Sequence, residues 1–380
     1  MMNKAFLFLT TLAVASLLTA CQKDDTDFSE YINGSGTSTD DAGPTTVYIT
    51  YNGSSVNVTG DDNGYVTTNG ADVTVNTGNA TDSLLLVLSG TTPDGSLLVF
   101  RERKYGIRLN GVSITNSDGP AINNQCGKAL YIEVAEGTTN TLSDGTAYDE
   151  TASYQQKGTL FSEGQVVFSG TGALTVTGNT KHAIACDDYI IVDDVVLTAG
   201  SSTGSGIKVN DGLWINSGTI DITVTGDGCR GIKSDSVVVV KGGDITIVTE
   251  GDCKIETTDG VRDTTSAACI KSDYRFTMSG GTLTMTSTGD GGKCINTEAD
   301  VVFSGGTLKA VTTGGNDVGK PKAIKGDMGI TVSGGSFTAK VDKSWACDNG
   351  TDSDEPADRV TIVGTPTTAT LTKKSVNIIF

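Results

Sequence analysis

One aliphatic position returns along the second half of this 380-residue chain at nearly constant spacing. The residues at this position are Leu160, Ile184, Ile207, Ile232, Ile270, Ile295 and Ile324. They are separated by 24, 23, 25, 38, 25 and 29 residues, and the two long intervals contain insertions near Lys254–Ser266 and near Asn316–Lys320. A period of this length predicts an array of stacked structural repeats, each of which buries its apolar side chains only against its neighbours.

Each repeat contains three short strand-like pieces. The first reads Ile-Lys-Ser-Asp at 232–235 and 270–273, the second is apolar as in Val237–Val240, and the third alternates as in 244–247. Alternation with a period of two indicates strands, and glycine pairs such as 280–281 suit turns that need positive φ. Three strands and three turns in about 24 residues predict one coil of an all-β parallel β-helix. We expect nine or ten coils in one domain. At ~4.8 Å per coil they form a rod of about 45 Å.

The hydrophobic core is expected where apolar side chains of successive coils align. One such column contains Ile190, Leu213, Val238, Phe276, Val301 and Ile330. A second contains Leu197, Ile220, Ile245, Leu283, Leu308 and Phe337.

The regions flanking the regular repeats are less periodic. Residues 45–159 are rich in strand patterns and are expected to form earlier coils or a cap. Within them, 107–110 matches the first strand of a coil, and the polar stretch 138–158 predicts a projecting loop. Residues 342–358 predict an acidic loop, and 360–380 are expected to cap the far end.

The first twenty residues, 1–20, are predicted to be an export signal. Lys4 precedes an apolar run too short to span a bilayer, and the run ends in Leu-Thr-Ala-Cys. This ending resembles a bacterial lipobox, which implies a lipid on Cys21. Residues 21–44 are polar and predict a flexible tether, so that 45–380 form the folded domain.

The residues after Cys21 bear on where the protein is sent. Gln22 resembles the residue found at this position in lipoproteins of an outer membrane, and the run 22–25 resembles the acidic export signal of surface-exposed lipoproteins in Bacteroidota. We therefore predict an outer-membrane lipoprotein exposed at the cell surface, which contacts the membrane only through its N-terminal lipid.

The charge balance excludes several classes of partner. Lys and Arg number 27 against 45 Asp and Glu, which gives a formal net charge of −18. A nucleic-acid binder needs a basic footprint, so we expect no nucleic acid. An anionic membrane surface would also repel this chain.

Two aligned positions of the first strand are predicted to face solvent. One contains Lys208, Lys233, Lys271 and Lys325, together with Ala185 and Asn296. The other contains Glu163, Asp187, Asn210, Asp235, Asp273, Glu298 and Asp327. These rows are consistent with a self-neutralising surface that discourages aggregation. They are equally consistent with a flat strip that binds a long polymer, on which the lysines contact uronate carboxylates.

A second acidic set lies at the last turn of the coil. It contains Asp227, Asp252 and Asp290, each preceded by glycine. Oxygen-rich turns of this kind suit calcium, which takes 6–8 oxygen ligands. An aspartate that caps backbone amide groups explains the same pattern, and the ligand spacing of an EF-hand is absent.

Trp214 is predicted to face outward on the second strand of its coil. An exposed indole at this place suits stacking on a sugar ring, and an indole covered by an insertion loop is the alternative.

The cysteines and the one histidine carry little sign of catalysis. Cys229 and Cys253 follow the same turn in adjacent coils, and Cys269 and Cys294 share one position. Either pair forms a disulfide or a ladder of small residues, and both possibilities are open. With one histidine, His182, and no Cys-x-x-Cys motif, neither a zinc site nor a histidine-based triad is expected.

The repeated pieces together resemble a known family. Gly-Ile-Lys-Ser-Asp at 231–235, Cys-Ile-Lys-Ser-Asp at 269–273, Ser-Gly-Gly-Thr-Leu at 279–283 and 304–308, and Gly-Asp-Gly turns look like the bacterial carbohydrate-binding β-helix family, which is related in fold to pectate lyases. The resemblance covers roughly residues 45–340. It implies a right-handed β-helix that binds plant polysaccharides, including acidic pectic chains, and holds calcium. The implied calcium ligands fall among Asp227, Asp235, Asp252, Asp273 and Asp290. Asn210 and Asn296 depart from the pattern.

Three functions compete for this chain. The first is non-catalytic, calcium-assisted binding of polysaccharide, with Lys208, Lys233, Lys271, Lys325 and Trp214 as the sugar-binding residues. The second is a polysaccharide lyase in which Lys233 or Lys271 removes a proton beside calcium. A catalytic base is usually one residue in a distinct environment, whereas these lysines form a repeated row. The third function is an adhesin or a structural surface protein.

Overall fold

The computed structural model of the chain describes residues 44–259 and 261–380. The signal at 1–20, Cys21 and nearly all of the tether lie outside the described residues. Within the described part, successive strands of the chain belong in turn to three parallel sheets. Together they form a parallel β-solenoid of about 11 turns. No helix in the described ranges is long and apolar enough to span a bilayer.

The first sheet contains the strand that begins each coil. Its parallel strands are Asp72–Asn76, Ser96–Phe100, Ile122–Asn124, Gly158–Ser162, His182–Cys186, Ile207–Val209, Arg230–Ser234, Ala268–Ser272, Lys293–Thr297, Lys322–Gly326 and Cys347–Asp348. The whole aliphatic column from Leu160 to Ile324 pairs in register, as the sequence predicts.

The second sheet contains the apolar strands. Three long strands, Thr45–Asn52, Leu84–Thr92 and Tyr105–Asn116, run through both the second and the third sheets. The later strands of the second sheet are Leu130–Val134, Val166–Ser169, Tyr189–Val192, Gly212–Ile215, Val237–Val240, Phe276–Met278, Asp300–Phe303, Gly329–Val332 and Thr361–Ile362.

The third sheet contains the alternating strands. After the long strands it continues as Thr139–Asp144, Ala173–Gly178, Val196–Ser201, Thr219–Val224, Asp244–Thr249, Thr282–Ser287, Thr307–Thr312 and Ser336–Val341. Both predicted apolar columns pair in register and are buried, which confirms them. Each fully buried Ile, Leu or Phe contributes about 1.5–3 kcal/mol to folding.

Antiparallel strands lie at both ends of the solenoid. At the N-terminal end, Ser55–Thr59 pairs with Thr45–Asn52 and Val66–Asn69 with Asp72–Asn76. At the other end, Ser375–Ile379 pairs antiparallel with Ser336–Val341, and Thr368–Leu371 adds to it. These antiparallel strands lie within 360–380, the region for which the sequence predicts a cap.

The insertions and the acidic loop have structure of their own. The longer insertion forms an antiparallel hairpin of Lys254–Thr258 and Val261–Thr265. The acidic loop contains the last strand of the first sheet and a short 3-10 helix at Pro356–Arg359.

Three sequence predictions about the N-terminal part are wrong in detail. The first sheet has eleven parallel strands among the described residues, not nine or ten, because the early coils lack the regular motif. Residues 107–110 lie in the second sheet, since alternation alone does not distinguish one face of the solenoid from another. The predicted loop 138–158 begins with a strand, Thr139–Asp144, in which the amide of buried Asn140 accepts the N–H groups of Gly111 and Val112.

Candidate functional site

Each residue of the Ile-Lys-Ser-Asp strand has a separate structural role. The isoleucine faces the core, and the serine two residues later is also buried. The hydroxyl of Ser234 donates to the carbonyl of Val237, and that of Ser272 donates to the carbonyl of Arg275. Because the serine anchors the turn, the lysine and the aspartate on either side of it are held on the outer surface.

The outward lysines and acids form one continuous network, which we call the lysine–acid ladder. Its members are Lys208, Lys233, Lys271, Asp235, Asp273 and Glu298. Lys208 lies 2.5 Å from Asp235, Lys233 lies 2.8 Å from Asp235 and also contacts Asp273, and Lys271 lies 2.9 Å from Asp273 and 2.8 Å from Glu298. Lys233 and Lys271 therefore each join two carboxylates from adjacent coils, whereas Lys208 joins Asp235 to the side-chain oxygen of Asn210.

The lysines of the ladder balance the negative charge of the acidic residues that they contact. Partial burial alone would raise the pKa of Asp235, but hydrogen bonds from Lys208 and Lys233 outweigh burial and lower it. The pKa of Asp273 is lowered in the same way by Lys233 and Lys271. The side chain of Lys271 is only 15% exposed, whereas that of Glu298 is 62% exposed. Lysine stems cover the strand while the carboxylates reach further into solvent.

Lys325 stands at the end of this row. Asn296 lies between Lys325 and Lys271 in the register. The ammonium of Lys325 lies 2.6 Å from the carboxylate of Asp327 in the same coil. Lys325 therefore belongs to the same face without being linked into the ladder by a described contact.

The aspartates of the last turn lie in a second row, away from the ladder. The carboxylate of Asp227 accepts the N–H of Asp252 at 2.9 Å, and that of Asp252 accepts the N–H of Asp290 at 2.7 Å. The carboxylate of Asp290 accepts the N–H groups of Asp317 and Val318, and these bonds lower its pKa. Each aspartate thus caps backbone of the next coil.

This geometry bears on the calcium prediction. In residues 44–259 and 261–380, no three Asp, Glu, His or Cys side chains converge on one point. Asp235 and Asp273 pair with lysines, and the turn aspartates pair with amides, so the five predicted ligands do not form one site. Calcium takes 6–8 oxygens, and the carboxylates of the described residues do not by themselves form such a cluster.

Trp214 is separated from the lysines by the shape of the coil. It lies in the second sheet, between Ile191 and Val239 in register, whereas the lysines lie on the first. The indole is half-buried, and the edge of the Tyr189 ring meets it with centroids 5.8 Å apart. The predicted sugar-binding residues therefore occupy two faces rather than one.

The described cysteines are all free and buried. They are Cys126, Cys186, Cys229, Cys253, Cys269, Cys294 and Cys347. Cys269 and Cys294 are neighbours in the register of adjacent strands, which is the small-residue ladder rather than the disulfide. The one histidine, His182, accepts the N–H of Ser205 at 2.8 Å through Nδ1, and burial lowers its pKa to about 4. A neutral histidine held to the backbone in this way has a structural role.

A basic cavity at the C-terminal end of the first sheet is the feature that sequence reasoning missed. Its volume is about 570 Å³, and Lys293, Lys320, Lys322, Lys325, Trp345 and Arg359 line it. One signal was present: Arg230, Lys293 and Lys322 share a single aligned position, two residues before the aliphatic column. Lys325 belongs to the predicted lysine row, whereas Lys320 comes from the second insertion and Trp345 and Arg359 come from the region after the last full coil, which follow no repeat.

Comparison with known proteins places this solenoid in a family. The sequence profile of the family described as carbohydrate-binding domain-containing protein matches residues 69–231 and 228–318, well over half of the chain. A carbohydrate-binding domain-containing protein of Acetivibrio thermocellus is 28% identical over 123 residues. The aligned part is 31% of this chain and 41% of that protein, so this chain spans less than half of the relative's length.

One solved structure has a similar fold. It is a polysaccharide lyase-like protein from C. thermocellum, solved as a gadolinium derivative. The two share a TM-score of 0.54 and 23% sequence identity, and the match covers 68% of this chain and 97% of that one. At this identity the likeness concerns the fold. The extent of the profile match establishes that the chain belongs to the carbohydrate-binding domain-containing protein family.

Proposed function

We propose that this protein binds an acidic polysaccharide of the pectic type on the outer face of its first sheet and does not cleave it. The observation that carries the proposal is the lysine–acid ladder, in which a lysine in each of three successive coils contacts a carboxylate of the next coil along the outer face of the first sheet. A polymer also repeats its hydroxyl and carboxylate groups, so that several coils contact it at once. Many weak contacts in one array give avidity without a deep pocket.

The ladder retains hydrogen-bonding capacity for a ligand. A lysine ammonium has three donors, and in both Lys233 and Lys271 two of them are occupied by carboxylates of neighbouring acidic residues. The third donor is open to a sugar hydroxyl or to a uronate carboxylate. The acidic net charge of the chain is screened beyond ~8 Å at physiological salt, so local contacts decide the binding.

The same contacts disfavour the lyase. A lysine that acts as a base must reach the proton that it abstracts, whereas the side-chain nitrogens of Lys233 and Lys271 each already contact two carboxylates of the protein. Neither lysine occupies an environment distinct from its neighbours in the row. Non-catalytic binding is therefore the function that these residues support best.

The expected result in an affinity gel containing polygalacturonate is retardation of the purified protein without release of unsaturated products. Lys233→Ala together with Lys271→Ala should weaken the retention about tenfold, or ~1.4 kcal/mol, because the two ammonium groups proposed to donate to the polymer are lost. The measurement is the apparent Kd from gels of increasing polymer concentration.

The matched control is Lys241→Ala with Lys309→Ala, which removes two exposed lysines from other faces and leaves the same net charge. Equal retention of both double variants would show that the lysine–acid ladder does not bind the polymer. Rising absorbance from unsaturated products would establish the lyase, and no retention of the wild-type protein would favour the adhesin.

Calcium assistance belongs to the same proposal. Because no three acidic side chains of the described ranges converge, an ion at this surface would need oxygens of the polymer as well as those of Asp235, Asp273 or Glu298. The exposure of the Glu298 carboxylate supports this arrangement. Retention in the same gels is accordingly expected to fall when EDTA is added. Unchanged retention would show that calcium does not contribute to polymer binding.

Tethering through a lipid on Cys21 completes the proposal. The support is the Leu-Thr-Ala-Cys ending after an apolar run, followed by a polar segment long enough to hold the solenoid away from a membrane. Mass spectrometry of protein extracted from membranes with detergent is expected to show acyl chains on Cys21. Recovery of the chain with an unmodified cysteine would contradict the tether.

A further inference from the structure

The basic cavity lies where the outer face of the first sheet is closed at its C-terminal end. Its walls come from the hairpin of the first insertion, from the second insertion and from the acidic loop after the last coil. Lys293 and Lys322 belong to strands of the first sheet and pair in register. The cavity therefore continues the face that holds the lysine–acid ladder, and its volume of about 570 Å³ is sufficient for a sugar unit.

The cavity is strongly basic in a protein that is acidic overall. Among described residues, five basic side chains line it, and only Asp348 and Asp352 oppose them. The carboxylate of Asp348 is already shared, at 2.7 Å from Lys322 and 3.1 Å from Arg359. Lys325 has its own partner in Asp327 outside the cavity lining.

Lys293 and Lys320 are left without a carboxylate in residues 44–259 and 261–380. The ammonium of Lys293 contacts neutral groups, namely the hydroxyl of Ser266 and, at 3.5 Å, the carbonyl of Gly291. Burial lowers the pKa of Lys293, and the nearby charges of Lys325 and Lys322 lower it further. Lys320 is exposed at the rim. Positive charge gathered in this way is stabilised when an anion enters.

The wall opposite these lysines is held in place. The guanidinium of Arg359 lies 4.0 Å from the centre of the Trp345 ring, and the ammonium of Lys373 lies 4.8 Å from it. Ser344, immediately before the tryptophan, has a φ of +92°, a conformation that a non-glycine residue adopts only at a cost. Backbone strain of this kind is typical of segments whose shape serves a ligand.

We infer that this cavity binds a single anionic group of a polysaccharide, a carboxylate or a sulfate ester, with Lys293 and Lys320 as its contacts. The inference rests on the proposed function, because the ladder brings a polymer to the cavity. A neutral sugar offers nothing to compensate the two lysines. The cavity therefore selects charged units, while the ladder holds the polymer through repeated weaker contacts.

The test is calorimetric titration of the full-length protein with three probes: trigalacturonate, its fully methyl-esterified form, and a sulfated disaccharide. The wild-type protein is expected to bind a charged probe at least tenfold more tightly than the neutral ester. Preference for the carboxylated or for the sulfated probe identifies the source of the anion. Equal binding of charged and neutral probes would overturn the inference.

Variants locate the binding. Lys320→Ala and Lys293→Gln are each expected to weaken binding of the charged probe about fivefold to tenfold. Lys309→Ala, which removes an exposed lysine of the third sheet, is expected to leave it unchanged. Because Lys320 is exposed, its variant keeps the test valid even if Lys293→Gln folds poorly.

The outcome separates this inference from the proposed function. Polymer retention that depends on Lys233 and Lys271, with oligosaccharide affinity indifferent to Lys293 and Lys320, would overturn the cavity alone. Failure of the wild-type protein to bind the polymer in the gel would overturn the proposed function itself.

Discussion

Replacing Phe276 by alanine is expected to lower the free energy of unfolding by about 3–5 kcal/mol. The ring is fully buried in the second sheet, and it pairs in register with Val238 of the previous coil and Val301 of the next. Neither valine is large enough to fill the space that the ring leaves. The loss therefore includes a cavity as well as the transfer free energy of the ring.

Urea denaturation at constant temperature measures this effect. Tyr274→Ala is the matched control, since it removes an aromatic ring two residues earlier whose side chain is 44% exposed. The control is expected to cost less than about 1 kcal/mol. Similar losses for both variants would mean that the column around Phe276 does not carry the stability of the array.

Lowering the pH from 7 to 4 is expected to remove about 3 kcal/mol of stability through His182 alone. Its folded pKa of about 4 lies below the ordinary value of 6.5, because burial disfavours the charged ring. The unfolded chain therefore binds more protons between these two values. The contribution is fully present above pH 6.5 and is lost as the pH falls toward 4.

The measurement compares wild-type protein with His182→Asn, whose side-chain oxygen still accepts the N–H of Ser205. Because the chain has one histidine, the difference between the two unfolding curves isolates this group. The lowered pKa values of Asp235 and Asp273 place their loss of stability below pH 4, outside the window. A pH dependence that is the same in both proteins would refute the assignment.

The regular part of the fold could be predicted because a stacked array converts sequence periodicity into register. Once Ile232 and Ile270 are aligned, alternation places the following lysine outward and the next serine inward, and both pairs of residues lie in register. The N-terminal coils could not be counted in the same way, since long strands such as Tyr105–Asn116 merge two sheets. Buried Asn140 also breaks the rule that polar residues face solvent.

The candidate site was predictable to the same extent. Alignment was sufficient to place Lys233 beside Asp273. It could not show that Lys233 and Lys271 each contact two carboxylates, because how far a side chain extends does not follow from the repeat. Trp214 was placed in the correct strand, but the separation of its face from that of the lysines depends on the turns between sheets. The basic cavity depends on insertions such as 316–320, whose conformation is not coded by any repeat.

The antiparallel strands at the two ends have a consequence for how molecules of this protein meet. A parallel array whose last strand is unpaired exposes free N–H and C=O groups, with which another copy of the protein can pair. Each added copy exposes a new unpaired strand, so that such assembly continues without limit. Here Ser55–Thr59 at one end and Ser375–Ile379 at the other run against the array and present a different spacing of donors and acceptors, and Thr368–Leu371 covers the second of them. Both ends of the described solenoid therefore disfavour growth of the parallel array from one molecule into the next.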